Sequence, residues 1–176
     1  LNLPLQVQNN TAAHRTAFTV TVDAASGITT GISSADRSHT IKLLVNKESS
    51  SADFVQPGHV FPLRYEEGGV LVRAGHTEGS VDLVNLSGKY PSAVICEILN
   101  PDGTMARRPQ LEEVAKKYKF PIVAIADLIA YRMSHEKLVK RGAEARLPTG
   151  HGVFTAVVYN SVVDTSEHIA VFMGDI

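Results

Sequence analysis

The segment Ala93-Val94-Ile95-Cys96-Glu97-Ile98-Leu99 sets the tightest limit on what this chain folds into. It is apolar throughout except for one carboxylate. Such a run suits a strand buried on both faces. Burying both faces requires cover on each side, which points to helices packed against a sheet. Pro121-Ile122-Val123-Ala124-Ile125 has the same character and predicts a second buried strand. Phe18 to Asp23 alternates apolar and polar side chains and predicts a half-buried one. Helical patterns lie between these runs. Ser33-Ser34-Ala35-Asp36 resembles a capping box and opens a helix from about Ala35 to Val45, with Ile41, Leu44 and Val45 on one face. A second helix is expected from Glu78 to Leu86, ended by Ser87-Gly88. Pro109 starts a third, with Leu111, Val114, Ala115 and Tyr118 on one side. Asp127 caps a fourth from about Leu128 to Arg141. The alternation predicts an α/β or α+β domain with partly parallel strands.

The connections read as a polar loop from Lys47 to Gln56, a turn at Pro57-Gly58, an extended stretch from His59 to Arg64, and a short strand at Val70-Leu71-Val72. Composition shifts at Gly142. Residues 1–141 read as one domain and 142–152 as a linker. Val153–Val163 and His168–Met173 read as a β-hairpin tail. An isolated hairpin holds no core of its own, so residues 153–176 are expected to open a second domain. The first residues lack an initiator Met and a basic leader, so the chain reads as a piece of something longer or a processed product.

Charge narrows the function classes. Seventeen Lys and Arg against eighteen Asp and Glu leave a net charge of −1, which argues against a nucleic-acid or anionic-membrane partner. One cysteine, Cys96, rules out an internal disulfide and a cysteine-built zinc site, and fits a reducing compartment. No apolar stretch reaches the roughly 18–20 residues that span a bilayer.

The densest chemistry lies in Arg73-Ala74-Gly75-His76-Thr77-Glu78, between a strand-like run and a helix start. Unpaired N–H groups at a helix N-terminus favour an anion. Arg73 offers a fork of donors, Thr77 a hydroxyl, and Gly75 close backbone approach. His76 is a metal-competent imidazole. The hexad is therefore expected to bind a sugar phosphate and a divalent metal. The bland alternatives are a surface Arg, an N-capping Thr and a loop His.

Several blocks in order resemble 3,4-dihydroxy-2-butanone 4-phosphate synthase. They are Thr29-Thr30-Gly31-Ile32-Ser33-Ser34-Ala35-Asp36-Arg37, Pro57-Gly58-His59-Val60-Phe61-Pro62-Leu63, Gly69-Val70-Leu71 and the hexad. Cys96-Glu97-Ile98 and Asp102-Gly103-Thr104-Met105-Ala106-Arg107 continue the likeness, which covers roughly residues 1–140. Ala145-Arg146-Leu147-Pro148-Thr149 and Glu167-His168-Ile169-Ala170 resemble the start of GTP cyclohydrolase II, which follows the synthase in bifunctional riboflavin biosynthesis proteins.

The resemblance implies a compact α+β fold and a lyase that converts D-ribulose 5-phosphate to formate and L-3,4-dihydroxy-2-butanone 4-phosphate. It implies Mg²⁺ or Mn²⁺, no organic cofactor, and a homodimer in the cytoplasm, or in a plastid for a plant or alga. It implies that His76 holds metal, that Glu97 and His59 are catalytic, and that substrate is bound by Arg73, Ala74, Gly75, His76, Thr77, Glu97 and Thr30. Burial of the Glu97 carboxylate in its strand would favour its protonated form and suit acid/base work. Cys96 is expected in the core. The family's acidic N-terminal loop, which supplies a metal-binding Glu, has no counterpart here. The competing reading is a truncated, inactive chain that dimerises or binds sugar phosphate.

Overall fold

The computed structural model describes residues 1–175 and divides into two units. The first comprises residues 1–65 and 80–95; the second comprises 66–79 and 96–176. Helices and strands mix in the chain, as the α+β reading expects.

In the first unit, strand β1 (Val22–Ala24) pairs antiparallel with β2 (Phe54–Val60). Phe18 to Asp23 is extended, but the predicted alternation fails. Thr19, Val22, Asp23 and Ala24 are all buried, whereas Phe18 is exposed. Thr19 is held by its amide and its hydroxyl, both donating to the Pro62 carbonyl. The loop expected through Gln56 ends earlier, because Phe54 and Val55 pair with Ala24 and Asp23. The register then jumps, so that Val22 faces Val60 and residues 56–59 bulge out. The expected Pro57-Gly58 turn is this bulge. A bulge frees backbone groups and re-aims side chains. Here the Gly58 amide donates to Thr21 Oγ1 at 3.1 Å and the His59 amide to Asp23 Oδ1 at 2.9 Å.

Helix α1 (Ser34–Leu44) begins as expected, with the Ser33 hydroxyl accepting from the Asp36 amide at 3.0 Å. Its buried side chains are Asp36 and Thr40, not the apolar stripe; Ile41 and Leu44 are half-buried and Val45 is exposed. Thr40 Oγ1 accepts from the Ala24 amide at 3.0 Å and donates to the Asp36 carbonyl at 3.1 Å, tying α1 to β1. Helix α2 (His76–Leu86) starts in the second unit and ends in the first, where Gly88 has φ of 70°.

In the second unit, residues 69–71 form a 3₁₀ turn instead of the expected strand, with Gly68 and Gly69 at φ of 93° and 65° and Val70 buried. Helix α3 (Arg108–Tyr118) opens one residue before Pro109; Leu111, Val114 and Ala115 are half-buried, while Tyr118 is exposed. Helix α4 (Ile125–His135) opens three residues before the expected Leu128, with Ala124 at its N-cap and Asp127 inside its first turn, and it is shorter than expected at its C-terminal end. Arg132 clamps Glu136 through Nε and Nη2 at 2.6 and 2.7 Å and donates from Nη1 to the Gly68 carbonyl at 2.9 Å.

Residues 139–149, expected as helix end and linker, form strand β3 (Val139–Thr149). It pairs with β4 (Gly152–Ser161), which pairs with β5 (Glu167–Phe172), giving an antiparallel order β3-β4-β5. The hairpin tail is thus the larger part of a three-stranded sheet. Both sheets among the described residues are antiparallel, so the partly parallel pairing is not found. Residues 93–99 and 121–124 are the largest departures. Neither forms a paired strand, apart from a single Leu99–Met105 bridge, and Val94, Ile95, Ile98, Leu99, Ile122 and Val123 are all exposed. A strand buried on both faces needs a continuous ladder of hydrogen-bonded neighbours and covering layers, and a single bridge supplies neither.

A Cβ at Gly58 would overlap the Val22 carbonyl carbon and the Asp23 amide nitrogen. Backbone cannot swing aside as a flexible side chain can. Gly58→Ala should therefore lower unfolding free energy by about 1–3 kcal/mol, read as a shifted urea midpoint with an unchanged m-value.

Candidate functional site

Two clusters carry chemistry, one in each unit. In the first unit, β1 supplies Asp23, only 5% exposed, and the bulge of β2 supplies His59, whose side chain is 42% exposed. Asp23 Oδ1 accepts the His59 amide, and Asp23 Oδ2 lies 2.6 Å from His59 Nδ1. One carboxylate thus holds both the backbone and the ring of His59. With the proton on Nδ1 facing Asp23, the Nε2 lone pair is left to act on a substrate proton.

Gly31 packs against this pair. Its φ is +88°, and a Cβ there would overlap Asp23 Oδ2 and lie 2.8 Å from His59 Nδ1. The loop carrying Gly31 is held by Asp36, which is 6% exposed. Asp36 Oδ2 accepts from the Thr29 hydroxyl at 2.7 Å and the Gly31 amide at 3.1 Å, and Oδ1 from the Thr29 amide at 3.2 Å. The capping box is therefore half formed: Ser33 caps Asp36, but the Asp36 carboxylate turns to the preceding loop. The Thr29 hydroxyl bond holds the Asp36 carboxyl below its ordinary value; burial opposes this, and the Thr29 and Gly31 amides and the Ser33 hydroxyl add to it. Thr30 sits exposed on the same loop.

The hexad lies in the second unit. Glu78 is 1% exposed; its Oε2 lies 2.5 Å from Arg73 Nη1 and its Oε1 accepts the Glu66 amide at 3.2 Å. A Cβ at Gly75 would lie 2.5 Å from Glu78 Oε2, so glycine there makes room for the ion pair. His76 and Thr77 form the first turn of α2, as the helix-start reading expects, with His76 exposed and Thr77 half-buried. Ala74 is exposed just before them. Arg73, Gly75, His76, Thr77 and Glu78 thus surround one helix N-terminus, where backbone N–H groups attract an anion.

Glu97 departs from expectation. It is exposed in an unpaired stretch beside an exposed Cys96, so the burial that favoured a protonated carboxylate is not seen, and Cys96 is not in the core. Among the described residues no group of three or more His, Cys, Asp or Glu side chains is arranged to hold a metal ion. His76 alone offers a single nitrogen, far short of the oxygen-rich octahedron that Mg²⁺ prefers. These residues do not make a complete metal site.

Asp23 and Glu78 escaped the sequence reading. Asp23 reads there only as the last residue of the alternating run from Phe18, and nothing in that pattern singles out its carboxylate. Glu78 stands in the hexad at the helix start, where local pattern assigns it no partner.

A family model described as 3,4-dihydroxy-2-butanone 4-phosphate synthase matches residues 1–131. The chain is 53% identical over 178 residues to the bifunctional riboflavin biosynthesis protein RIBA 1, chloroplastic, of Arabidopsis thaliana, covering all of this chain and 33% of that protein. It is 46% identical to the crystal structure of RibBX, a two-domain 3,4-dihydroxy-2-butanone 4-phosphate synthase from A. baumannii, with a TM-score of 0.83 over 98% of this chain and 51% of that one. A 3,4-dihydroxy-2-butanone 4-phosphate synthase in complex with two magnesium ions is 35% identical, with a TM-score of 0.69 over 77% of this chain and 68% of that one. The chain spans less than half the length of the curated relatives it matches.

The lowered Asp36 carboxyl has a pH consequence. A depressed folded-state value contributes stability that is fully present above the unfolded value, ordinarily 3.8, and is lost as pH falls through the lower folded value. Asp36→Asn should be less stable than the wild type at neutral pH. The gap should close only on acidification below that ordinary value, as read from urea midpoints across pH.

Proposed function

The chain belongs to the 3,4-dihydroxy-2-butanone 4-phosphate synthase family, and on that premise we propose that it converts D-ribulose 5-phosphate to L-3,4-dihydroxy-2-butanone 4-phosphate and formate in riboflavin biosynthesis. The observation that carries the acid/base part is the buried Asp23 carboxylate gripping His59 by ring and backbone. His59 Nε2 takes and returns protons at carbon and oxygen, while Asp23 keeps the ring in one tautomer and steadies the imidazolium formed on proton uptake. Glu97 is the second proposed acid/base group; its exposure leaves it open to substrate and solvent.

The second-unit cluster suits the phosphate. The α2 N-terminus offers N–H groups, Thr77 a hydroxyl, and Ala74 and Gly75 a backbone an anion can approach. Arg73 adds positive charge oriented by Glu78. Thr30 is the remaining proposed substrate contact. Water leaves when the C1 hydroxyl is lost and is regained when one carbon departs as formate, so substrate and products balance.

We assign His76 as one ligand of a divalent cation, Mg²⁺ or Mn²⁺, in the intact protein. The support is the related synthase in complex with two magnesium ions and the exposed imidazole at the helix start. A homodimer, and a cytoplasmic or, in a plant or alga, plastid location belong to the same reading. No helix among the described residues is long and apolar enough to cross a membrane. Residues 153–176 are assigned to the opening of a GTP cyclohydrolase II-like domain. Support comes from the block likeness at Ala145–Thr149 and Glu167–Ala170 and from the bifunctional Arabidopsis relative.

Formate release from ribulose 5-phosphate by the intact protein, followed by mass spectrometry of the four-carbon product, tests the reaction. His59→Gln should cut kcat by on the order of 10²–10⁴-fold. Turnover of the sugar phosphate to any other product would sink the assignment. His76→Ala should abolish divalent-metal activation and weaken Mn²⁺ binding in a calorimetric titration; an unchanged binding isotherm would remove His76 from the metal's ligands.

A further inference from the structure

We propose that Asp36 is a positioning residue for the Asp23–His59 pair, acting through the Thr29–Gly31 loop on one side and through Thr40 and β1 on the other. The inference rests on the acid/base role given to His59 above, and it adds a residue that touches neither His59 nor a substrate.

The argument is a closed circuit of short contacts within one unit. The Asp36 side chain accepts three hydrogen bonds from Thr29 and Gly31. Gly31, fixed by that carboxylate, presses against Asp23 Oδ2 and His59 Nδ1 so closely that no Cβ fits. In the other direction the Asp36 carbonyl accepts from the Thr40 hydroxyl, which accepts from the amide of Ala24, the neighbour of Asp23 in β1. Asp36 thus bears on both sides of the dyad: the loop that backs it and the strand that carries it.

A stability role alone does not account for this placement. Asp36 stands where a capping box would turn its carboxylate back to the Ser33 amide, yet it reaches past Ser33 to the loop. Asp36 and Thr40 are the buried side chains of α1, so this helix meets β1 through hydrogen-bonding groups rather than apolar ones. Hydrogen bonds have narrow preferred distances and angles, whereas apolar contacts tolerate sliding. A circuit of this kind restricts where Gly31 sits against the imidazole. The cost of losing it should appear in the orientation of the ring, and hence in turnover more than in substrate affinity.

The test reads the ring directly. In ¹⁵N-labelled intact protein, with the His59 signals assigned by their loss in His59→Gln, the wild type should show the neutral ring protonated at Nδ1. Asp36→Asn, which puts an NH₂ group or a weaker acceptor against the loop amides, should mix the two tautomers. Thr29→Val, which deletes the 2.7 Å hydrogen bond, should do the same, and Thr29→Ser should restore the wild-type spectrum. In parallel, Asp36→Asn and Thr29→Val should lower kcat by on the order of ten- to a hundredfold with KM within about twofold. His59 signals that match the wild type in both Thr29→Val and folded Asp36→Asn would overturn the proposal, as would a loss confined to KM. If Asp36→Asn does not fold, the Thr29 pair decides. If the wild type releases no formate, the reaction assignment falls and the ring spectra alone decide the role of Asp36.

Discussion

The double hold of Asp23 on His59 is the interaction on which the first unit turns. A bulge in β2 leaves the His59 amide without a strand partner, and the Asp23 carboxylate takes it. The same carboxylate takes the ring at 2.6 Å. Backbone satisfaction and side-chain orientation are therefore one event. A bulge four residues long would ordinarily loosen the strand pair, but Thr21 and Asp23 bind its amides and Gly58 lets it lie flat on β1. The His59 imidazole, proposed above as the acid/base group, ends up on an irregular piece of backbone whose Gly58 and His59 amides are both held by β1 and the residue before it.

The same economy appears elsewhere. The buried side chains include Asp23, Asp36, Thr40, Glu78 and Asp82 alongside a modest set of apolar groups. Buried carboxylates are costly unless each lone pair finds a donor. Asp36 has three such donors besides the cap on its own amide, Glu78 has Arg73 and the Glu66 amide, and Asp82 accepts from Tyr65. No buried side-chain nitrogen or oxygen among the described residues lacks a partner. Polar groups here act as fasteners between elements, and each fastened element carries a residue of the proposed chemistry.

How much of this was legible in the sequence depends on how far each signal reaches. The starts of α1 and α2 were legible because capping is local: Ser33 and Asp36 lie three residues apart, and α2 opens at the hexad; α4 instead opens at Ile125 behind Ala124, not behind Asp127. The hexad was legible as a helix start for the same reason. Strand readings failed where they rested on hydropathy alone. Residues 93–99 and 121–124 are apolar enough for a buried strand, yet a strand is defined by its neighbours, and only the Leu99–Met105 bridge pairs along them. Val139–Thr149 erred the other way. Its charged residues, the internal Gly142, Pro148 and the following Gly150 read as helix end and linker, but β4 lies alongside to pair with it.

The order of residue types sufficed for the mixed α+β class, the starts of α1 and α2 and the family, because these depend on contacts between near neighbours or on ordered blocks of residue types. Tertiary structure alone decided that Asp23 grips His59, 36 residues away, that Asp36 faces the loop rather than its own cap, and that Glu97 lies exposed. Those outcomes hinge on which backbone groups a bulge releases and which side chains happen to stand opposite. A linear pattern carries no record of that pairing, since the hydrogen-bond donors and their acceptor meet only after β1, β2 and α1 have come together.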